Sequence, residues 1–273
     1  MFKIALSAGH GMNTPGKRCM KSIDKNETRE WYLNDRICDK VEKKLALYDG
    51  YSLLRVDDTT GKTDVPLENR VGNANKWGAD FYLSIHHNAG INGGSGGGII
   101  SIAHTKASET SKKYQKIIYD ELIKETGFKG NRSTPLAFQN LYECRVTNMP
   151  AVLVECGFMD STTDVPIILS EAFAEKASTA LVSALITIGN LKPKNKGELT
   201  MSQYEELKRE LDALKEAIGT IYKTADEIPD YYKPTIQPMI DKGVIKGTGN
   251  NNLNLPEITV RTLVYVKRDD NCV

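Results

Sequence analysis

The 273-residue sequence lacks an excess of charge of either sign: 36 lysines and arginines stand against 35 aspartates and glutamates, a formal net charge of +1. A nucleic-acid binder needs a basic surface to neutralise phosphates. Residues 191–273 are balanced too, with 13 basic and 13 acidic side chains, so no basic tail hides behind the total. A nucleic-acid partner is not expected. No apolar run approaches the roughly 18 residues of a membrane span, so no membrane partner is expected either. The five cysteines (Cys19, Cys38, Cys144, Cys156, Cys272) form no C-x-x-C pair. That excludes a zinc ribbon and a dithiol redox motif, and favours free thiols in a reducing compartment. The first residues lack the pattern of a signal peptide, since their short apolar stretch runs straight into Gly9-His10. Synthesis in the cytosol without an export address is the expectation.

What is present is the balance of a chain that can bury a core, 40% hydrophobic and 26% charged. Strand-like apolar runs fall at residues 2–7, 51–56, 80–86, 98–103 and 151–155. Helical stretches lie between them: one with Leu33, Ile37, Val41 and Leu45 on a single face, others across residues 68–77, 108–124 and 171–188. Strands alternating with helices predict an α/β fold, a mainly parallel twisted sheet with helices on both faces. Ligands in such sheets collect at the carboxyl ends of strands. That rule brings Gly9-His10, Ser84-Ile85-His86-His87 and Val154-Glu155-Cys156-Gly157 to one rim.

The segmentation that follows is residues 1–190 as a catalytic domain, 191–200 as a Lys/Pro/Gly-rich linker, 201–224 as an amphipathic helix and 225–273 as a small helical module. Tyr204, Leu207, Leu211, Leu214, Ile218 and Ile221 are spaced 3, 4, 3, 4, 3. This heptad stripe suits a helix docked on its own chain, or a short coiled coil that makes a homodimer through 201–224. In the last segment, Ile236, Met239, Ile240 and a Gly243-to-Gly247 turn precede a helical stretch over 260–266. This resembles, weakly and over about 45 residues, a degenerate S-layer-homology unit, for cell-wall binding or oligomerisation.

Three strand ends carry residues that can bind metal or move protons. His10 follows Gly9, where a glycine allows a sharp turn. His86 ends one apolar strand and Glu155 another, and a carboxylate after four buried-type residues is costly unless paired, metal-bound or catalytic. Singly, each has an ordinary structural explanation. With Glu30 they make two imidazoles and two carboxylates, the donor types of a catalytic zinc site with an open position.

Four ordered blocks sharpen this. Ser7-Ala8-Gly9-His10-Gly11, Glu30 with Asn34, the stretch from Arg70 through Ala79-Asp80 to Ser84-Ile85-His86-His87-Asn88-Ala89, and Met149-Pro150-Ala151-Val152-Leu153-Val154-Glu155-Cys156-Gly157-Phe158 together resemble the zinc-dependent N-acetylmuramoyl-L-alanine amidases of the Amidase_3 type. The likeness covers about residues 1–190. It implies Zn²⁺ held by His10, Glu30 and His86, Glu155 as the catalytic carboxylate, and peptidoglycan as substrate, cut between N-acetylmuramic acid and L-alanine. Glu27, one turn before Glu30, is the alternative ligand, but only Glu30 has the asparagine four residues on. Successive strand residues face opposite ways, so one of His86 and His87 faces the metal. The family order selects His86 and leaves His87 as substrate-facing, supporting or surface. His104 matches no motif. The stretch 90–98 has no P-loop lysine and is read as a flexible or close-approach loop. Asp160 and Ser161 replace the family's usual pair, which bears on capping and the groove wall.

A phage endolysin is the leading role: held in the host bacterial cytoplasm until lysis, then acting on the cell wall. A sporulation-linked mother-cell amidase is the neighbouring reading. A zinc carboxypeptidase acting on the stem peptide is the alternative chemistry, with Arg70 or Arg132 as nominal carboxylate anchors. A non-catalytic wall binder would leave Glu155 without a job.

Overall fold

In the computed structural model the described residues are 1–194 and, beyond them, 205, 208–210, 212, 216, 219–245, 255–256 and 259–260. The chain divides into two units, Met1–Lys194 and Asn195–Val273.

The first unit is built on eight strands and six helices, the longer of which follow the sequence pattern closely. They are β1 (Phe2–Ala8), α1 (Glu30–Leu45), β2 (Tyr48–Asp49), β3 (Tyr51–Arg55), α2 (Leu67–Trp77), β4 (Phe81–Asn88), β5 (Ile100–His104), α3 (Glu109–Thr126), β6 (Leu136–Gln139), α4 (Tyr142–Arg145), β7 (Ala151–Phe158), α5 (Val165–Ile168) and α6 (Glu171–Gly189). A short β8 (Lys192–Pro193) pairs with β2. The central sheet runs β3-β1-β4-β7-β5-β6. β1 is parallel to β3 and β4, and β4 to β7. The expected parallel sheet is interrupted once, because β5 is antiparallel to β7. β2, β6, β8 and the single turns of α4 and α5 were not anticipated from the sequence.

Period-two alternation sorts the strands' side chains onto two faces. Ile4, Leu6, Phe81, Leu83, Ile85, Val152 and Val154 join one large core with α1, α3 and α6. Ala5, Tyr82 and Ala151 face the other way, toward Ala74 of α2. On α1 the four-residue stripe Leu33, Ile37, Val41 and Leu45 is wholly buried, each side chain contributing about 1.5–3 kcal/mol. Ser108 and Ser170 cap α3 and α6 by accepting from Ser111 N and Phe173 N, at 3.1 Å each. Helix α6 is long and apolar enough to cross a membrane by length and composition. Its Phe173, Ala177, Leu181 and Leu185 are buried against the rest of this core.

The stacking brings the carboxyl ends of β1, β4 and β7 together at one rim, with the start of α1 beside them.

In the second unit, Tyr222, Ile228, Ile236, Leu255 and Val260 form a small cluster around the helix Lys233–Asp241. Strands Ile221–Tyr222 and Leu255–Pro256 pair antiparallel. Of the six heptad positions only Ile221 is described, and it lies in a strand, so the helix expected over 201–224 stops short of it. Tyr204, Leu207, Leu211, Leu214 and Ile218 lie outside the described residues, as do 261–266 of the last expected helix.

Candidate metal centre and its groove

Gly9 and His10 leave β1 in a turn whose strain sits on the histidine. His10 has φ +67°, a left-handed conformation uncommon for a residue with a side chain. Gly9 is not at positive φ, contrary to the expectation that it supplies the turn. It is glycine because a Cβ there would lie 2.1 Å from His86 Cε1. The turn is held from both sides. The buried Arg70 guanidinium donates to Ser7 Oγ, to the Ala8 and His10 carbonyls, and to Val65 O. Asn34 Nδ2 donates to Gly9 O at 3.1 Å.

The result is a cluster of donors. Glu30, the first residue of α1, is 1% exposed. Its Oε1 lies 3.1 Å from His86 Nδ1 and 3.4 Å from His10 Nε2. One donor atom from each of these three residues falls within 4.8 Å of the others. The two imidazoles stand edge to face, centroids 5.0 Å apart. Burial alone would push the Glu30 carboxyl up, but hydrogen bonds from His10 and His86 hold it well below the usual carboxylate range. Lys17 Nζ, 3.8 Å from Glu30 Oε2, adds a half-exposed positive charge.

These residues fit a zinc ion. Tetrahedral ligands at about 2.0–2.1 Å from zinc stand about 3.3 Å apart, close to the two separations above. Glu30 Oε2 is also buried without a hydrogen-bond partner in the protein, a cost that native structures seldom leave unmet.

Glu155 is brought beside His86 by register, since the two are cross-strand partners in β4 and β7. It is not among the three clustered residues. Burial pushes its carboxyl up to about 7. Glu155, Glu30, His86 and Lys17 line one cavity of about 240 Å³, and His10, His86, Asp64, Arg70 and Glu143 line another of about 290 Å³. His86 borders both, so the centre sits in a groove with room on either side.

Other sequence candidates fall elsewhere. Glu27 pairs with Arg18 at 3.1 Å and Lys21 at 3.5 Å, away from the cluster. His87 takes the supporting place among its alternatives: it is buried, with Nδ1 2.7 Å from Asn34 Oδ1, and burial lowers it to about 3. Because Asn34 spends its amide on Gly9 O, its oxygen accepts from His87. His104 is half-buried and bonds to Asn140. The loop 90–98 is held at many points rather than free. Asp160 Oδ2 accepts from the N–H groups of Gly90, Ile91 and Asn92 at 2.7–2.8 Å, and Asp164 Oδ2 from Gly98 N.

Glu143 on α4 is a site residue that the sequence did not single out. It is 4% exposed, and its Oε1 accepts from Tyr82 Oη at 2.6 Å and Ser84 Oγ at 3.2 Å. Burial opposes its ionisation, but His86 and then Tyr82 hold it down to about 2. Its signal was indirect. Tyr82, Ser84 and His86 put three polar groups on one face of an otherwise apolar strand, which calls for a polar partner.

The profile of the N-acetylmuramoyl-L-alanine amidase family, Amidase_3, matches residues 4–187. The sporulation-specific N-acetylmuramoyl-L-alanine amidase of Bacillus subtilis (strain 168) is 31% identical over 228 residues, 84% of each chain. The endolysin of Bacillus phage SPP1 is 29% identical over 196 residues, 71% of this chain and 68% of that one. The crystal structure of the N-acetylmuramoyl-L-alanine amidase from Clostridium difficile 630 superposes with a TM-score of 0.62 at 25% identity, covering 72% of this chain and 98% of that chain.

Proposed function

The chain belongs to the N-acetylmuramoyl-L-alanine amidase family, and from that premise we propose that it hydrolyses the amide between N-acetylmuramic acid and L-alanine in peptidoglycan, with His10, Glu30 and His86 as zinc ligands and Glu155 as the acid–base residue. The observation that carries this reading is the meeting of the three donors with a fourth, unpaired carboxylate in one groove.

Two neutral imidazoles and one carboxylate would leave a bound zinc with residual positive charge, and what the ion supplies is a polarised amide carbonyl and a more acidic water. The protein's own residues do the rest. Glu155, beside the cluster but outside it, takes a proton from the attacking water and returns it to the alanine nitrogen as the C–N bond breaks. A carboxyl raised by burial suits both halves of that cycle. Arg70 and Asn34 fix the turn that carries His10, and Gly9 leaves room for His86.

The two candidate anchors do not favour the carboxypeptidase alternative. Arg70 is buried and spent on backbone carbonyls, and the Arg132 guanidinium stacks on Phe158 at 4.4 Å. Mass analysis of digested muropeptides tests the choice: free N-terminal L-alanine is expected, and released D-alanine would overturn it.

The biological role we propose is lysis of the wall around the cell that makes the enzyme. The similarity to both the phage endolysin and the sporulation amidase supports it. Synthesis on prophage induction would favour the endolysin role, and synthesis late in sporulation the other. Residues beyond 190 are proposed to hold the catalytic unit at the wall or to pair two chains through 201–224, and sedimentation of the full chain separates these.

A further inference from the structure

We propose that Glu143 is a positioning residue for the metal centre: its carboxylate holds the proton of His86 on Nε2, so that Nδ1 is the nitrogen offered to the metal. This deepens the metal-site reading above and rests on it.

The two nitrogens of the His86 imidazole face different groups. His86 Nδ1 points to the shared Glu30 Oε1 at 3.1 Å, on the side where His10 Nε2 also converges. His86 Nε2 points the other way and is buried without a hydrogen-bond partner. Facing it at 3.6 Å is Glu143 Oε2. A neutral imidazole has one N–H and one lone pair, and an acceptor opposite one nitrogen sends the lone pair to the other. Metal-binding histidines are oriented this way by carboxylates or carbonyls behind the ring.

Glu143 is itself fixed in place. Its Oε1 accepts from Tyr82 Oη at 2.6 Å and Ser84 Oγ at 3.2 Å, both on the strand that carries His86. With Oε1 committed to two hydroxyl donors, Oε2 remains for His86. The residue is 4% exposed and faces the groove wall formed with Asp64 and Arg70. A buried carboxylate in this position is costly unless it meets positive or N–H character, and an imidazole N–H supplies it.

The chemistry makes a sharp distinction between Glu and Gln at this position. A glutamine keeps the shape, and its oxygen can still accept from Tyr82 and Ser84. Its NH₂ then faces His86 Nε2, donor against donor. The ring is driven to carry its proton on Nδ1, where it blocks the metal.

The test uses the full chain loaded with zinc and labelled with ¹⁵N-histidine, whose four histidines keep the spectrum readable. The expected result is His86 ligated through Nδ1 with a proton on Nε2. Ligation through Nε2 would overturn the proposal, and this readout needs no variant to fold. In parallel, zinc affinity is measured by competition with a chromophoric chelator for the parent, Glu143→Gln and Glu155→Gln. Glu143→Gln is expected to bind about 10- to 100-fold more weakly, and a loss under fivefold would overturn the proposal. Glu155→Gln is expected to keep the parent's affinity; an equal loss in that variant would also overturn it, because the effect would then be general to amides in the groove. A parent that takes up no zinc defeats the metal-site reading itself, an outcome distinct from a parent that binds and a Glu143→Gln that binds equally.

Discussion

Gly9 lies so close to the His86 imidazole that a Cβ on it would sit 2.1 Å from Cε1 and 2.4 Å from Nδ1. Gly9 follows the end of β1 and His86 lies in the neighbouring β4, and the ring fills the space that a side chain at residue 9 would need. Gly9→Ala should therefore displace His86 from Glu30 while leaving the sheet intact. A misplacement of about 1 Å at a reacting centre costs on the order of 100-fold in rate. Dye release from labelled cell walls measures it, and wild-type activity in Gly9→Ala would show that His86 does not need its present position.

Glu155→Gln separates chemistry from metal binding. The amide keeps size and polarity but cannot take a proton from water. Loss of a general base typically costs 10²- to 10⁴-fold, so wall hydrolysis should fall by about that factor with zinc content unchanged. If Glu155→Gln lost its zinc together with its activity, Glu155 would be a ligand and the assignment of roles would be wrong.

Removing the metal should cost both activity and stability. Glu30 keeps a buried carboxylate oxygen without a hydrogen-bond partner when nothing is bound, and a ligand at about 1,000 times its Kd stabilises the fold by about 4 kcal/mol. Chelator treatment should lower Tm and stop hydrolysis, and added zinc should restore both. His10→Ala should bind zinc at least about tenfold more weakly. A thermal scan unaffected by chelator would count against any ion at this position.

The parts of this site legible in the sequence are those whose chemistry sits where the pattern of a strand ends. His10, His86 and Glu155 interrupt apolar runs, and parallel pairing then forces them to one rim. Glu143 was not legible because its environment is made by Tyr82 and Ser84, about sixty residues earlier in the chain. β6 was missed for a similar reason: Leu136–Gln139 is a four-residue edge strand with Phe138 exposed, and it carries little period-two signal. For His87 the alternatives stayed open because the alternation rule gives the face and not what covers it. The covering group is Asn34 of α1.

The thiols supply a check on the core that is independent of the metal. Burial pushes the Cys19 and Cys144 thiols up to about 12, and raises those of Cys38 and Cys156 well above the ordinary thiol value. At pH 8 all four should be protonated, and the thiolate is the reactive form. Iodoacetamide should leave them unmodified in the native protein and label them on unfolding, as mapped by peptide mass. Rapid native labelling of Cys156, next to Glu155 in β7, would mean that this strand is not packed as described.

Asp160 is the residue through which the chain's departure from the family's usual pair has a physical effect. One oxygen accepts three successive backbone N–H groups, from Gly90, Ile91 and Asn92, and Asn92 is held at φ +54°. Hydrogen bonds to a charged acceptor contribute about 1.5–3 kcal/mol each. Partial exposure and water lower the sum, so Asp160→Ala should loosen the loop by about 2–3 kcal/mol. That corresponds to amide exchange at residues 90–92 roughly 100-fold faster, with Asp160→Asn in between because it keeps one acceptor oxygen. The loop follows directly on β4, which carries His86, so wall hydrolysis should fall as well, by less than in Gly9→Ala. Exchange rates equal to the parent's would mean that the loop is held by its other ties, Asp164 to Gly98 and Thr163 to Gly96, and that Asp160 contributes nothing to it.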